Sequence, residues 1–243
     1  IPSSLVGSEM CIRDRVFNVD EIGPIPIPRN IDEALHPSNP YREKWWGSIE
    51  EEYRGKVEEN KAWDLVPLES MPKRAKVLKG KWVFTVKYLK DGSVDKFKAR
   101  GVGCGYSQRK GLDYDQTFAS TLKGTTFRML LALAAVRNYS MKHIDVRKAF
   151  TQATLDEDVY VEQPHRFAKS GMVCKLRMAL EGLKQSGHLW MKTNSDYLTS
   201  QLGFKRSPHD PCLYIHKRYR KGGGYLGGVR RRYPMSLLLS RDV

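Results

Sequence analysis

Apolar positions recur every three or four residues through "NIDEALHPSNPYREKWWGSIEEEYRGKVEENKAWDLV", which begins at Asn30, and this period predicts helices. Asn30 can cap a short first helix with Glu33 as its N3 partner. In a second helix Trp45, Ile49, Tyr53 and Val57 form one i, i+4 stripe, a packing face. From Lys81 the period drops to two. "KWVFTVKY" puts Trp82, Phe84, Val86 and Tyr88 on one side of a strand, and Asp91-Gly92 is a two-residue turn signal. The return strand "VDKFKAR" gathers Lys96, Lys98 and Arg100 on one face, with Phe97 and Ala99 on the other. "GVGCG" at 101–105 does not open an amphipathic helix, as a dinucleotide loop would, so its glycines read as bulge or turn residues.

Further on, "TTFRMLLALAAVRNY" (125–139) predicts a buried helix capped by a threonine. "HIDVRKAF" (143–150) predicts a short strand that ends in a carboxylate and turns into a helix. Met141, His143 and Asp145 share one of its faces, Ile144 and Val146 the other. A strand from Glu157, "EDVYVEQP", precedes a long helix over "LEGLKQSGHLWMKTNSDYLTSQLGF", with Leu183, Trp190, Tyr197 and Leu202 near one side. "SPHDPCLYIHKR" returns as a strand. This order of helices, hairpin, helix, strands, helix and strand predicts an α+β domain. Residues 1–30 show no such period, end in the Pro-rich "GPIPIPRN" and read as disordered. Residues 4–15 resemble a run met at the ends of translated transcript assemblies and carry no fold signal.

At 243 residues with 40% hydrophobic content, the chain can build one large core or two small ones. It has no run of 18 apolar residues to span a membrane, and its first residues are too polar for a secretory signal. Cys11, Cys104, Cys174 and Cys212 lie too far apart for a metal-ligand spacing and read as buried thiols of a reducing compartment. The net charge of +15 is concentrated. Residues 71–110 hold twelve Lys/Arg against Asp91 and Asp95, and residues 217–232 hold seven with no acid. Two such patches predict a polyanionic partner. Three cations at period two on a ribbon also suit phosphate oxygens, although the same pattern describes an ordinary solvated sheet face.

A carboxylate at the end of a buried strand needs something to hold its charge, and a metal ion that does chemistry commonly takes more than one. For Asp145 the residues around it settle the question only through a resemblance. "KAWDLV", "KGKWVFTVKY…DGSVDKFKAR", "GLDYDQTFA", "IDVRKAF", "DEDVYVEQP", "VCKLRMALEGLKQSGHLW" and "GFKRSPHDPCLY" run in order from about residue 30 to 216. In these stretches the chain resembles the reverse transcriptase of copia-type LTR retrotransposons.

The resemblance implies the fingers and partial palm of a right-hand polymerase over residues 31–216, incomplete at the C-terminus. It implies that Asp145 is the first metal-binding catalytic aspartate, and that Phe150 is the aromatic screening the sugar 2′ position. Lys98 and Arg100 match the fingers motif that approaches the triphosphate, and Gln185 the segment facing the nascent base pair. The basic hairpin face, with Lys81, Lys87 and Lys96, would follow template or nucleotide phosphates. The implied partners are an RNA template, a DNA primer and deoxynucleoside triphosphates, without a membrane, and the implied cofactor is Mg²⁺ or Mn²⁺. The other domains of a pol polyprotein are not visible in the sequence. The implied location is the cytoplasm, in a virus-like particle, with the nucleus as an alternative.

The chain departs from the family at Gly101-Val102-Gly103-Cys104, at Glu181 in place of an aromatic, and at Gly187-His188 near an expected arginine, as a decaying element would. The family's second catalytic motif, an aromatic–Val–Asp–Asp turn, should follow "CLYIHKR" by roughly a dozen residues. No paired Asp-Asp exists there, so the expectation is that this chain holds divalent metal weakly and does not polymerise. The glycines and arginines of "KRYRKGGGYLGGVRRRYPMSLLLSRDV" are poor strand material where a hydrophobic strand is due. Reading Val229 to Pro234 as GTA CGT CGA CGA TAT CCN and moving one base forward gives TAC GTC GAC GAT ATC, or Tyr-Val-Asp-Asp-Ile. Residues 217–243 therefore read as an out-of-frame tail behind an indel near 217–224. The competing readings are a non-catalytic basic nucleic-acid-binding module and an unstable translation product.

Overall fold

The structure, a computed structural model, describes residues 25–216 and the backbone of 224–231 and 233–240. Cys11 and most of the expected disordered N-terminal segment lie outside the described residues. In chain order the elements are α1 (Ile31–Ala34), α2 (Arg42–Arg54), β1 (Trp63–Pro67), β2 (Val77–Leu78), β3 (Gly80–Tyr88), β4 (Val94–Gly103) and α3 (Gly124–Arg137). Then follow β5 (Ser140–Asp145), β6 (Tyr160–Val161), β7 (Met172–Leu176), α4 (Ser186–Asp196), β8 (Phe204–Arg206), β9 (Leu213–His216), β10 (Gly224–Arg231) and β11 (Tyr233–Ser240). This is the mixed α+β domain that the periodicity predicts. It divides into two compact units, Ile1–Tyr53 with Trp82–Arg100, and Arg54–Lys81 with Gly101–Val243.

In the first unit the helical stripe and the alternating strand meet. Trp45 and Ile49 are fully buried, and Trp45 stacks edge-on against Phe84 and Phe97 with centroids 5.2 and 4.7 Å away. Trp82, Val86 and Ala99 complete this core, and the Ser48 hydroxyl accepts a bond from the Ala99 N–H at 2.6 Å. Asn30 caps α1 as expected, accepting from the Glu33 N–H at 2.8 Å. Ile25, within the segment expected to be disordered, is buried, and its N–H donates to the Tyr88 hydroxyl. The β3–β4 turn is longer than two residues. The Asp91 carboxylate accepts from both the N–H and hydroxyl of Ser93, and Leu89 pairs with Ser93 across the loop.

The second unit holds two sheets, ordered β1-β7-β6-β2 and β5-β11-β10-β9-β8. Ala62, Leu78, Val159, Val161, Leu176, Leu180 and Leu183 pack together in one core, and Leu122, Leu130, Ala134, Cys212 and Leu213 in another. Three sequence expectations are corrected here. First, α2 runs into a π turn over Gly55–Glu59. The extra residue per turn rotates the stripe by one position, so Lys56, not Val57, is the buried residue. Second, the long helix expected over residues 180–204 begins only at Ser186, because Gly182 adopts φ +92°, which no right-handed helix accommodates. Third, α3 buries only Leu130 and Ala134, leaving Met129 and Val136 exposed. No threonine caps it. Instead the buried Asp210 carboxylate accepts from the Lys123 N–H at its start, 3.0 Å away. The glycine-rich tail also forms strands, since a ladder needs only backbone donors and acceptors, and β10 pairs with both β9 and β11.

Candidate functional site

Lys98 and Arg100 lie on the β4 face opposite Phe97 and Ala99, as the two-residue period requires. Partial burial, then the charges of Arg100 and Lys87, with a smaller contribution from Lys96, push the Lys98 ammonium below its usual range. Lys87 and Lys81 are exposed, and Lys96 pairs with Glu51 at 2.9 Å. This ribbon therefore concentrates like charges that an approaching anion would relieve.

Asp145 ends β5, an edge strand, and is exposed rather than buried. Water can hold its charge. The chain then turns sharply: Lys148 adopts φ 49° and Ala149–Gln152, carrying Phe150, forms a 3₁₀ turn where an α-helix was expected. That turn is fastened by the Asn60 side chain donating to the buried Thr151 hydroxyl at 2.6 Å, and by Lys148 pairing with Glu59 at 2.8 Å. The Lys148 bond draws the Glu59 carboxyl below its usual value. Gln185 is buried, and both of its amide atoms are engaged. Its oxygen accepts from the Gln108 amide at 2.9 Å, and its nitrogen donates to the Asp113 carbonyl at 2.8 Å.

Beside Asp145, β11 pairs antiparallel with β5 in a register that sets Met235 opposite Asp145. The β10–β11 hairpin closes with Arg231 opposite Tyr233. Among the described residues no three His, Cys, Asp or Glu side chains come together. A two-ion phosphoryl-transfer centre needs several carboxylates, and a lone Asp145 does not fit one.

The departures at 101–104 and at 181, which lie far apart in sequence, meet in space. The Lys56 ammonium, its side chain only 3% exposed, donates to the Gly101 carbonyl and pairs with Glu181 at 2.9 Å. The Gly103 N–H bonds the Glu181 carbonyl at 2.9 Å. A Cβ on Gly182 would stand 2.2 Å from the Gly103 carbonyl oxygen, so glycine is required for this approach. Local periodicity carries no sign of these contacts.

The pattern of the reverse transcriptase (RNA-dependent DNA polymerase) family matches residues 60–224, and the chain belongs to that family, in its copia-type branch. It is 40% identical over 194 residues to the retrovirus-related Pol polyprotein from transposon RE1 of Arabidopsis thaliana, a match covering 79% of this chain and 13% of the relative. It is 35% identical over 193 residues to the Pol polyprotein from transposon TNT 1-94 of Nicotiana tabacum, covering 78% and 14%. Against the transposon Ty1-DR4 Gag-Pol polyprotein of Saccharomyces cerevisiae it is 30% identical over 215 residues, covering 81% and 13%. The chain thus spans about one seventh of the length of these relatives and corresponds to a reverse transcriptase fragment of a retrotransposon Pol polyprotein. Members of the family are generally dependent on divalent metal. No helix among the described residues is long and apolar enough to cross a membrane.

Proposed function

We propose that this chain is the fingers and incomplete palm of a copia-type reverse transcriptase, able to bind primer–template and deoxynucleoside triphosphate but unable to extend a primer. Lys98 and Arg100 contact triphosphate oxygens, Lys81, Lys87 and Lys96 track nucleic-acid phosphates, and Phe150 screens the sugar. Gln185 acts indirectly, holding the 108–113 loop through the amide bonds just described.

The observation that carries the inactivity is the hairpin beside Asp145. Its closing pair is Arg231 and Tyr233, and the one-base shift would place the two aspartates at positions 231 and 232 of that turn. The family match ends at residue 224, upstream of that turn. Both observations support a tail read out of frame. On this reading Asp145 is left as a single carboxylate ligand. Primer extension on a primed RNA template with Mg²⁺ or Mn²⁺ tests the reading: no incorporation is expected, and any processive incorporation refutes it. Sequencing the transcript under Val229–Pro234 separately decides the frame, since bases that do not spell the shifted motif would rule it out.

A further inference from the structure

Phe150 rides on the Ala149–Gln152 turn, and what fixes this turn comes from distant parts of the second unit. Phe150 is half-buried, whereas Thr151 beside it is 1% exposed. The Thr151 hydroxyl accepts from the Asn60 amide at 2.6 Å and donates to the Lys148 carbonyl at 2.8 Å. Its one proton is thus committed to Lys148, so residue 60 must bring a donor. Asn60 is set in place by the π turn over Gly55–Glu59, which it ends and which the Ala62 N–H closes on the Lys56 carbonyl at 2.8 Å. The far end of the Phe150 turn is held too. The Ala153 N–H bonds the Phe150 carbonyl at 3.0 Å, and the Ala153 carbonyl accepts from the Ala179 N–H at 2.8 Å. The Arg177 and Met178 N–H groups donate to the Ala62 carbonyl at 2.8 and 3.1 Å, so both ends of the turn are tied to the segment that carries Asn60.

A ring that rejects one extra sugar hydroxyl must keep its place to within about 0.5 Å, which takes supporting bonds as well as packing. We propose that Thr151 and Asn60 are positioning residues for Phe150, and that the hydroxyl–amide relay between them sets how strictly the chain prefers deoxynucleoside over ribonucleoside triphosphate. The inference rests on the reading of Phe150 as the sugar screen. Neither residue touches the nucleotide, and both act through the place they give the ring.

Equilibrium dialysis of the full chain, bound to a DNA primer on an RNA template with uracil as the next base, tests the relay. Radiolabelled dATP and ATP, each with Mg²⁺, give a ratio of two dissociation constants. Thr151→Val keeps the buried shape and removes the relay, and Asn60→Asp sets a carboxylate oxygen against the Thr151 oxygen where a donor stood. Each should lower the preference for dATP about tenfold. The Val variant still folds, because the Lys148 carbonyl keeps the Thr151 N–H at 3.0 Å and the half-buried Asn60 can turn to water. Thr151→Ser restores the hydroxyl and should keep the wild-type ratio. An unchanged ratio in Thr151→Val or Asn60→Asp overturns the inference, as does a Thr151→Ser ratio as low as that of Thr151→Val. Equal weakening of both nucleotides also overturns it, since that marks a purely structural role. Phe150→Ala separates the relay from the reading beneath it and should bring the ratio close to one. If Phe150→Ala lowers the ratio and the relay variants do not, the relay falls while Phe150 keeps its role. If Phe150→Ala changes nothing, or the wild-type chain shows no preference or binds neither nucleotide, the assignment of Phe150 fails and the relay with it.

Discussion

Removing Glu181 should destabilise the protein far more than removing Lys56, although the two form one ion pair. The Lys56 side chain is 3% exposed and the Glu181 side chain 24%. In Glu181→Ala the Lys56 ammonium stays buried with the Gly101 carbonyl and loses the Glu181 carboxylate. Breaking a buried pair from that side costs about 3–5 kcal/mol. In Lys56→Met the charge leaves with the side chain, a hydrophobic stem refills the space, and Glu181 turns toward water. The loss is then closer to one charge-assisted hydrogen bond, about 1.5–2 kcal/mol. The gap of about 2 kcal/mol is roughly a thirtyfold difference in the folding equilibrium. For a chain of this size, Glu181→Ala should lower Tm by about 10 °C and Lys56→Met by about half that. The double variant should be more stable than Glu181→Ala alone, because no charge remains buried. Urea unfolding followed by tryptophan fluorescence measures all three. Equal small losses for both single variants, or a double variant no better than Glu181→Ala, would refute the buried-pair reasoning and return Glu181 to the status of an eroded position.

The Lys98→Ala/Arg100→Ala variant should lower the salt slope of primer–template binding by about one to two units, and an unchanged slope in an anisotropy titration would make that face plain solvated surface. Asp113 and Asp210 both have carboxyls held below their usual value, Asp210 by the Thr126 hydroxyl and the Cys212 and Lys123 N–H groups against the opposing effect of burial. Their stabilisation is therefore fully present above the unfolded carboxylate value of about 4 and is lost as pH falls through the lower folded values. Asp210→Asn should flatten the acid limb of a urea-midpoint profile between about pH 5 and 2, and an unchanged profile would remove Asp210 as a contributor. Gly182→Ala combines a left-handed φ of 92° with a clash at the Gly103 carbonyl and should cost more than about 1 kcal/mol; a neutral result would show that the 101–105 and 180–183 segments do not pack as described. Burial pushes the Cys174 thiol up to about 12, so it should react with a thiol reagent only as the protein unfolds.

What the sequence determined by itself is what depends on neighbours a few residues apart. The alternation of Trp82, Phe84 and Val86 specified a strand with one buried face, and it necessarily turned Lys98 and Arg100 to the other side of the returning strand. Asn30 and Glu33 specified a helix start, and the seven ordered stretches specified the family. Tertiary structure decided what depends on partners far along the chain. Lys56 is buried because a π turn changed the helix phase and because Glu181, 125 residues away, could receive it. Gly182 must be glycine because a Cβ there would strike the Gly103 carbonyl, and no local turn signal names that distant partner. Gln185 sits inside an amide network with Gln108, 77 residues away, and so cannot itself present its amide to a ligand while those bonds hold. The exposed apolar side of α3 escaped prediction for the same reason: composition records how apolar a helix is, and only packing decides which of its faces find a neighbour.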